Sequence, residues 1–257
     1  MPILSYILAA LAATAAGMIN ALAGGGTLIT FPVLLAIGLP AVSANVTNTI
    51  ALCPGFLGGT LAQSQDMKNQ KKRLWIVLPP AVLGGLTGGV LLLRSSEKLF
   101  TNLVPFLILL ASALLAIQNP LRSWLASRQE QNKEKKISEF WLIPPVFLGA
   151  IYGGYFGAGL SIILLSILSL LTNDNLTRLN AVKQSIAYSA NTTAALLFAF
   201  SGKVNWTTAL AMAAGALLGG SLGGRLASRI KPGALRWVVV AIGFTVGMIY
   251  LVRTYIL

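Results

Sequence analysis

Two of the apolar stretches in this chain are too long to cross a bilayer once, and each is interrupted by glycines. A spanning helix needs about 20 apolar residues, each adding about 1.5 Å. Apolar stretches fall near 3–39, 41–63, 74–93, 99–118, 141–171, 176–201, 205–224 and 234–255. Six of them have single-crossing length. The first and fifth do not, and each carries a glycine cluster near its middle: Gly24-Gly25-Gly26, and Gly153-Gly154-Tyr155-Phe156-Gly157-Ala158-Gly159. Clustered glycines are poor helix formers, and non-helical backbone at membrane depth persists only inside protein or along a wet cavity. Each long stretch therefore reads as two helical pieces meeting at the glycines. The first piece starts without a basic segment before it and without a cleavage site after it, so it reads as a retained membrane element.

Composition agrees with a membrane chain and excludes a soluble one. Only 10% of the 257 residues are charged, against about a quarter in soluble domains. The net charge of +13 would point to nucleic acid in a soluble protein. In a membrane protein it reports orientation, because Lys and Arg collect in cytoplasmic loops. There is no His, and Cys53 is the single cysteine, so imidazole chemistry and an intramolecular disulfide are both excluded.

The chain also resembles itself. A shift of 131 residues pairs Gly84, Gly88 and Gly89 with Gly215, Gly219 and Gly220, a shift of 133 pairs Gly24 and Gly26 with Gly157 and Gly159, and a shift of 135 pairs Asn45 with Asn180. The order of these matches implies a duplicated unit, with 1–118 as one repeat, 119–140 as a basic cytoplasmic linker and 141–257 as the second repeat. Charge orients them. If each broken stretch returns to the side it started from, fourteen basic residues share one side and only Arg94, Lys98, Lys203 and Arg253 face the other. Positive-inside bias favours that arrangement, and it makes the repeats inverted. The expected fold is an all-α polytopic membrane protein of two inverted repeats, each a glycine-broken helix pair plus three transmembrane helices.

Such a fold has a chemical consequence. Helix N-termini near Thr27 and Leu160 would approach the midplane from opposite sides. A helix N-terminus offers unpaired N–H donors and about half a positive charge, which suits an anion. Gly24, Gly25, Gly26, Gly157 and Gly159 would let the backbone approach it closely. Glycines also allow tight helix packing, the reading preferred for Gly84/Gly88 and Gly215/Gly219. Lys183 lies seven residues into its segment, about 10 Å deep. A charge at such depth is functional by default, or else it snorkels to the interface. Its segment also carries Asn180, Gln184, Ser185, Ser189, Asn191 and Thr192, and the matching segment carries Asn45, Thr47, Asn48 and Thr49. A lysine among amides and hydroxyls reads as an oxyanion cavity, while polar groups in apolar helices also simply join neighbours.

The six acids, Asp66, Glu97, Glu130, Glu134, Glu139 and Asp174, all lie at segment ends or in loops. No mid-membrane carboxylate is available for the usual proton relay or Na+ site. No nucleotide-binding loop or His/Cys/carboxylate cluster is present either, which argues against ATP-driven pumping, a bound metal or an enzyme.

Gly24-Gly25-Gly26-Thr27-Leu28 with Pro32, followed by Ala44-Asn45-Val46-Thr47-Asn48-Thr49, resembles the first signature of the TauE/SafE family of sulfite exporters. Tyr152–Leu160, Leu179-Asn180-Ala181-Val182-Lys183, Asn191, Phe200-Ser201-Gly202 and Trp206 resemble its second. The resemblance implies a multi-pass permease of the bacterial inner membrane for sulfite, organosulfonates or related anions. The expected substrate-binding set is Gly24, Gly25, Gly26, Thr27, Asn45, Thr47, Asn48, Gly157, Gly159, Asn180, Lys183, Gln184 and Asn191. The expected partners are a small anion and the lipid bilayer, with no nucleic acid, no cofactor and no catalytic residue, and with self-association left open. Alternatives are a permease for another small anion such as a carboxylate, an integral-membrane enzyme, or a scaffold.

Overall fold

The computed structural model describes residues 2–22, 25–131, 138–226 and 232–256. Ten α-helices account for the architecture, and the described residues contain no strand. They are α1 (Ile3–Leu22), α2 (Thr27–Ala36), α3 (Ala41–Ala62), α4 (Lys71–Arg94), α5 (Glu97–Gln131), α6 (Ile143–Tyr155), α7 (Leu160–Leu171), α8 (Leu176–Ala199), α9 (Trp206–Leu226) and α10 (Pro232–Tyr255). A single 3-10 turn at Glu139–Leu142 leads into α6. Among the described residues, four helices have the length and apolarity of complete spans, lying within α1, α4, α5 and α10. The protein is an all-α, multi-pass membrane protein.

Both overlong stretches break at their glycines, and the second pieces begin at Thr27 and Leu160. The backbone explains why. Gly25 has φ +92°, Gly157 +79° and Gly159 +78°, a left-handed region that costs any residue with a Cβ about 1–2 kcal/mol. Gly24 lies outside the described residues. The hydrophilic stretch that starts at 119 begins as the last turns of α5, which runs through Pro120 to Gln131, and 132–137 lie outside the described residues. So do 227–231.

Polar contacts gather the helix ends into two groups. At one end Arg73, beginning α4, pairs with Glu139 at 3.0 Å and with Asp174 at 2.9 Å. Gln70 joins the same cluster by donating to Asp174 and accepting from Arg73. This fixes the start of the 3-10 turn, the end of α7 and the start of α4 together. Burial pushes the Asp174 carboxyl up, but hydrogen bonds from Gln70, Arg73 and the Asn175 N–H, with the guanidinium charge, outweigh it and hold the group below the usual carboxylate value. At the other end the Val42 N–H donates to Glu97 Oε1 at 3.0 Å and Ser43 Oγ donates to the Lys203 carbonyl at 2.7 Å. Lys203 Nζ donates to the Leu93 carbonyl at 3.2 Å, and Tyr255 OH donates to the Asn102 carbonyl at 3.2 Å.

Helix directions follow from the packing. Gly149 of α6 lies against Leu164 and Ile167, and Gly153 against Leu160, so α7 runs back along α6 to the Arg73 end. α1 runs parallel to α9: a methyl group on Gly215 would strike the Ala10 carbonyl, and one on Gly219 the Thr14 carbonyl. In the same way Gly84 meets the Phe147 carbonyl and Gly88 the Ile151 carbonyl, so α6 runs parallel to α4. These four glycines are backbone-to-backbone packing points, as the small-residue spacing suggested. Because α9 leaves the Glu97 end, so does α1, and α2 returns there to meet α3.

Aromatic side chains mark both ends. Trp75 and Trp141 are exposed near the Arg73 cluster, with Trp237 at the start of α10, while Trp206 and Tyr255 are exposed at the opposite end. Such belts sit at the two headgroup levels of a bilayer.

Candidate functional site

The two helix breaks meet the same turn of α5. A methyl group on Gly25 would sit 2.8 Å from Leu115 Cδ2, and one on Gly159 would sit 3.3 Å from Leu114 Cδ1. An aromatic cluster ties the same region together from above. Phe31 of α2 packs edge-on to Phe156 at 5.4 Å, and Phe100 of α5 to Tyr155 at 5.5 Å.

The α6–α7 break is braced from within. Phe156 and Gly157 give their N–H groups to the Tyr152 carbonyl, and the Tyr152 hydroxyl donates to the Ala158 carbonyl at 2.6 Å. This brace holds two left-handed glycines on either side of Ala158. The N–H groups of Ala158, Gly159 and Ser161 have no hydrogen-bond partner among the described residues. Successive amides around a left-handed turn at a helix N-terminus make a concave anion-binding surface. The α1–α2 break differs, because Asn20 Oδ1 already accepts the Gly26 N–H at 2.8 Å. Thr27 follows as the first residue of α2 and Thr30 Oγ1 bonds back to the Gly26 carbonyl.

The amide residues divide between two depths. Asn45 is buried on α3 and donates Nδ2 to the Tyr155 carbonyl at 2.8 Å. Asn48, one turn along, is buried as well. The Oδ1 atoms of both are enclosed and have no partner among the described residues. Asn191 of α8 turns its oxygen toward Gly157, because its Nδ2 is spent on the Ala187 carbonyl. Thr47 instead accepts the Asn205 N–H at 3.1 Å and ties α3 to the α8–α9 loop.

Asn180 and Lys183 lie elsewhere along α8. Lys183 Nζ donates to Asn180 Oδ1 at 2.7 Å, and Asn180 Nδ2 donates to Gln63 Oε1 at 2.7 Å. Gln63 ends α3 at the Arg73 end. Eight residues of helix separate Lys183 from Asn191, about 12 Å along the axis, and Lys183 leans away from the break. The Arg122 guanidinium of α5 is the other positive charge that bears on Lys183. Gln184 is half-buried beside it.

The structure thus brings Gly25, Gly26, Thr27, Gly157 and Gly159 to one depth on α5, with Asn45 and Asn191 against the α6–α7 break. It gathers Asn180, Lys183 and Gln63 nearer the Arg73 end. Asn20, which braces the first break, escaped the sequence reading, and Tyr152, which braces the second, entered it only as part of a signature and not as a site residue. Asn20 is a lone amide in an alanine-rich helix, and Tyr152 reads as one more aromatic in an apolar run.

A family model described as "Sulfite exporter TauE/SafE" matches residues 9–250. A "Probable membrane transporter protein" of Haemophilus influenzae is 30% identical over 239 residues, covering 91% of each chain. The "Probable membrane transporter protein YfcA" of Escherichia coli is 26% identical over 217 residues, covering 82% of this chain and 76% of that one. The "Probable membrane transporter protein ORF9" of a Sinorhizobium species is 28% identical over 218 residues, covering 84% and 80%. No solved structure matches the chain.

Proposed function

The chain belongs to the sulfite exporter TauE/SafE family, and on that premise we propose that this membrane transporter exports a small sulfur-containing anion, sulfite or an organosulfonate. The observation that carries the reading is the α6–α7 break, where the free N–H groups of Ala158, Gly159 and Ser161 open the N-terminus of α7. Backbone donors and a helix dipole stabilise a tetrahedral or pyramidal oxyanion without a proton to gain or lose. The substrate-binding set comprises Gly24, Gly25, Gly26, Thr27, Gly157 and Gly159 at the breaks, with Asn45, Thr47, Asn48 and Asn191 framing them. Asn180, Lys183 and Gln184 receive the anion on the Arg73 side.

The two repeats are inverted in this reading. Its support is that the first broken stretch starts and ends at the Glu97 end, the second at the Arg73 end. Lys71, Lys72, Arg73 and Arg178 lie at the Arg73 end, which positive-inside bias assigns to the cytoplasm. Exposure of the site to each side in turn then moves the anion across.

Export fits the absence of acids from the helix interiors. A cell-negative potential drives each negative charge outward by about 2.3 kcal/mol per 100 mV, so efflux needs no coupled proton. The test is flux of radiolabelled sulfite and of an alkanesulfonate from proteoliposomes under an imposed potassium-diffusion potential. Efflux should rise as the lumen is made negative and fall to the protein-free rate when the potential is reversed. Accumulation that follows only a pH gradient would overturn the export reading.

A further inference from the structure

The α6–α7 break presents donors on one side and unpaired acceptors on the other, and only the donors are accounted for by an anion. Asn45 is 1% exposed and Asn48 2%. The bond from Asn45 Nδ2 to the Tyr155 carbonyl fixes which way that amide points, because the reversed amide would set two carbonyl oxygens against each other. Its Oδ1 therefore faces the interior as a bare acceptor. Asn48 lies three residues on along α3, on the same helical face, and its Oδ1 is enclosed without a partner too. Buried acceptors without a donor are destabilising, and two on one face of α3 suit a common occupant.

The occupant has to be positive or carry hydrogens, and an anion is neither attracted nor held by carbonyl oxygens. α6 ends at Tyr155, so its C-terminal carbonyls add a partial negative charge at the same place. Described carboxylates are remote or already engaged. Glu139 and Asp174 pair with Arg73 at the far end, and exposed Glu97 accepts the Val42 N–H one turn outward. Neutral oxygens alone suit a hard monovalent ion, whereas a divalent one needs carboxylates to offset its dehydration. Cys53 forms the nearest described soft ligand on α3 and contacts Thr192 instead.

We propose that Asn45 Oδ1, Asn48 Oδ1 and the carbonyl end of α6 form a binding site for Na+. Unwound carbonyls and the C-terminal end of a half-helix hold such ions in transporters built on broken helices. The break then carries opposite charges on its two faces. Na+ among the Asn45 and Asn48 oxygens raises affinity for the anion at the Ala158–Ser161 amides, and the anion raises affinity for Na+ by the same factor. The linkage to the anion rests on the transport reading. The cation site itself does not.

Equilibrium binding of radioactive sodium to the purified full-length protein in detergent, with no anion substrate present, tests the site directly. The protein should bind the tracer saturably and release it to unlabelled Na+. Asn48→Ala should weaken binding at least tenfold, while Asn48→Asp, which turns a neutral oxygen into a carboxylate, should tighten it at least tenfold. Loss of folding can mimic the first result but not the second. No saturable binding to the folded wild-type protein, as a site filled by water alone would give, overturns the inference. So does an Asn48→Asp protein that binds sodium no more tightly than wild type. Sodium binding without anion flux would sink the transport reading and leave the cation site standing, and sodium-independent flux without sodium binding would do the reverse.

Discussion

Replacing Lys183 with Met separates two ways in which a half-buried lysine can serve an anion. If Lys183 Nζ touched the bound anion at about 4 Å, an effective dielectric of about 20 gives an attraction near 4 kcal/mol. Its loss would weaken binding by about a thousandfold. The structure places Lys183 eight residues along α8 from Asn191, which adjoins the break at Gly157. At about 12 Å the same expression gives about 1.4 kcal/mol for a monoanion, or tenfold, and twice that energy for a dianion. The side chain has nearly the volume of Met, and the Asn180–Gln63 bond that Lys183 joins does not depend on its charge. The measurement is the dissociation constant of a monoanionic alkanesulfonate for purified wild type and Lys183→Met by titration calorimetry. About tenfold weakening is expected. A change of less than twofold would show that no field from Lys183 reaches the anion. A thousandfold loss would refute the depth assigned to the anion and put it beside Lys183.

Three further outcomes follow from local geometry. Gly88→Ala drives a methyl group into the Ile151 carbonyl and should cost about 1–3 kcal/mol by overpacking, lowering the melting temperature in detergent. Gly58→Ala meets nothing within 4 Å and should stabilise the protein by about 0.5–1 kcal/mol; equal melting temperatures for the two variants would refute the packing role of Gly88. Asp174 has a folded-state pKa below its unfolded value, so its contribution is present above the unfolded value and is lost as pH falls through the folded one. Asp174→Asn should lower thermal stability at neutral pH and flatten its decline under acid, and an unchanged acid slope would count against the Arg73 cluster. Finally, Cys53 Sγ lies 3.4 Å from Thr192 Oγ1 across α3 and α8, close enough for Thr192→Cys to form a disulfide with it. Oxidation should stop anion flux and reduction restore it, and full flux in the cross-linked protein would show that the α3–α8 seam does not move.

Apolar length and glycine placement were enough to locate the broken helices, because both are properties of the local chain. A left-handed φ at Gly157 and Gly159 needs glycine whatever surrounds it, so the starts at Thr27 and Leu160 could be read without tertiary information. The reach of α5 could not. Polarity rises at 119 and Pro120 follows, yet the helix continues to Gln131, since a proline removes one backbone bond and a long helix with packed neighbours tolerates that. The site was harder, and Asn45 with Asn180 shows why. Each is the fifth residue of its helix, α3 and α8, and the 135-residue shift pairs them. α3 leaves the Glu97 end and α8 leaves the Arg73 end, so matching positions are carried to opposite depths. Asn45 reaches the Tyr155 carbonyl, while Asn180 bonds Gln63 at the other end of α3. Nor could apolar patterning reveal the Arg73–Glu139–Asp174 cluster, whose members are 101 residues apart at the widest.

The packing also bears on which bodies would move during transport. A division at the 119–140 linker suggests that 1–118 and 141–257 rock against each other. The helices do not pack that way. α1 lies on α9, and α6 lies on α4, so each contact joins a helix before the 119–140 stretch to one after it. Gly215 and Gly219 fix the first contact and Gly84 and Gly88 the second, through backbone atoms that leave no slack. α3 also packs on α9, and α8 on α4. α3 packs on α8 as well as on α9, so it joins the α1–α9 pair to the α4–α6–α8 group. α3 and α8 meet along a seam that carries the Cys53–Thr192 contact and the Lys183–Asn180–Gln63 chain. Backbone-tight glycine contacts resist sliding, whereas the seam is held by side-chain contacts such as Cys53 with Thr192 and Gln63 with Asn180. Motion along α3 and α8 would therefore leave the glycine contacts of α1 with α9 and of α6 with α4 intact.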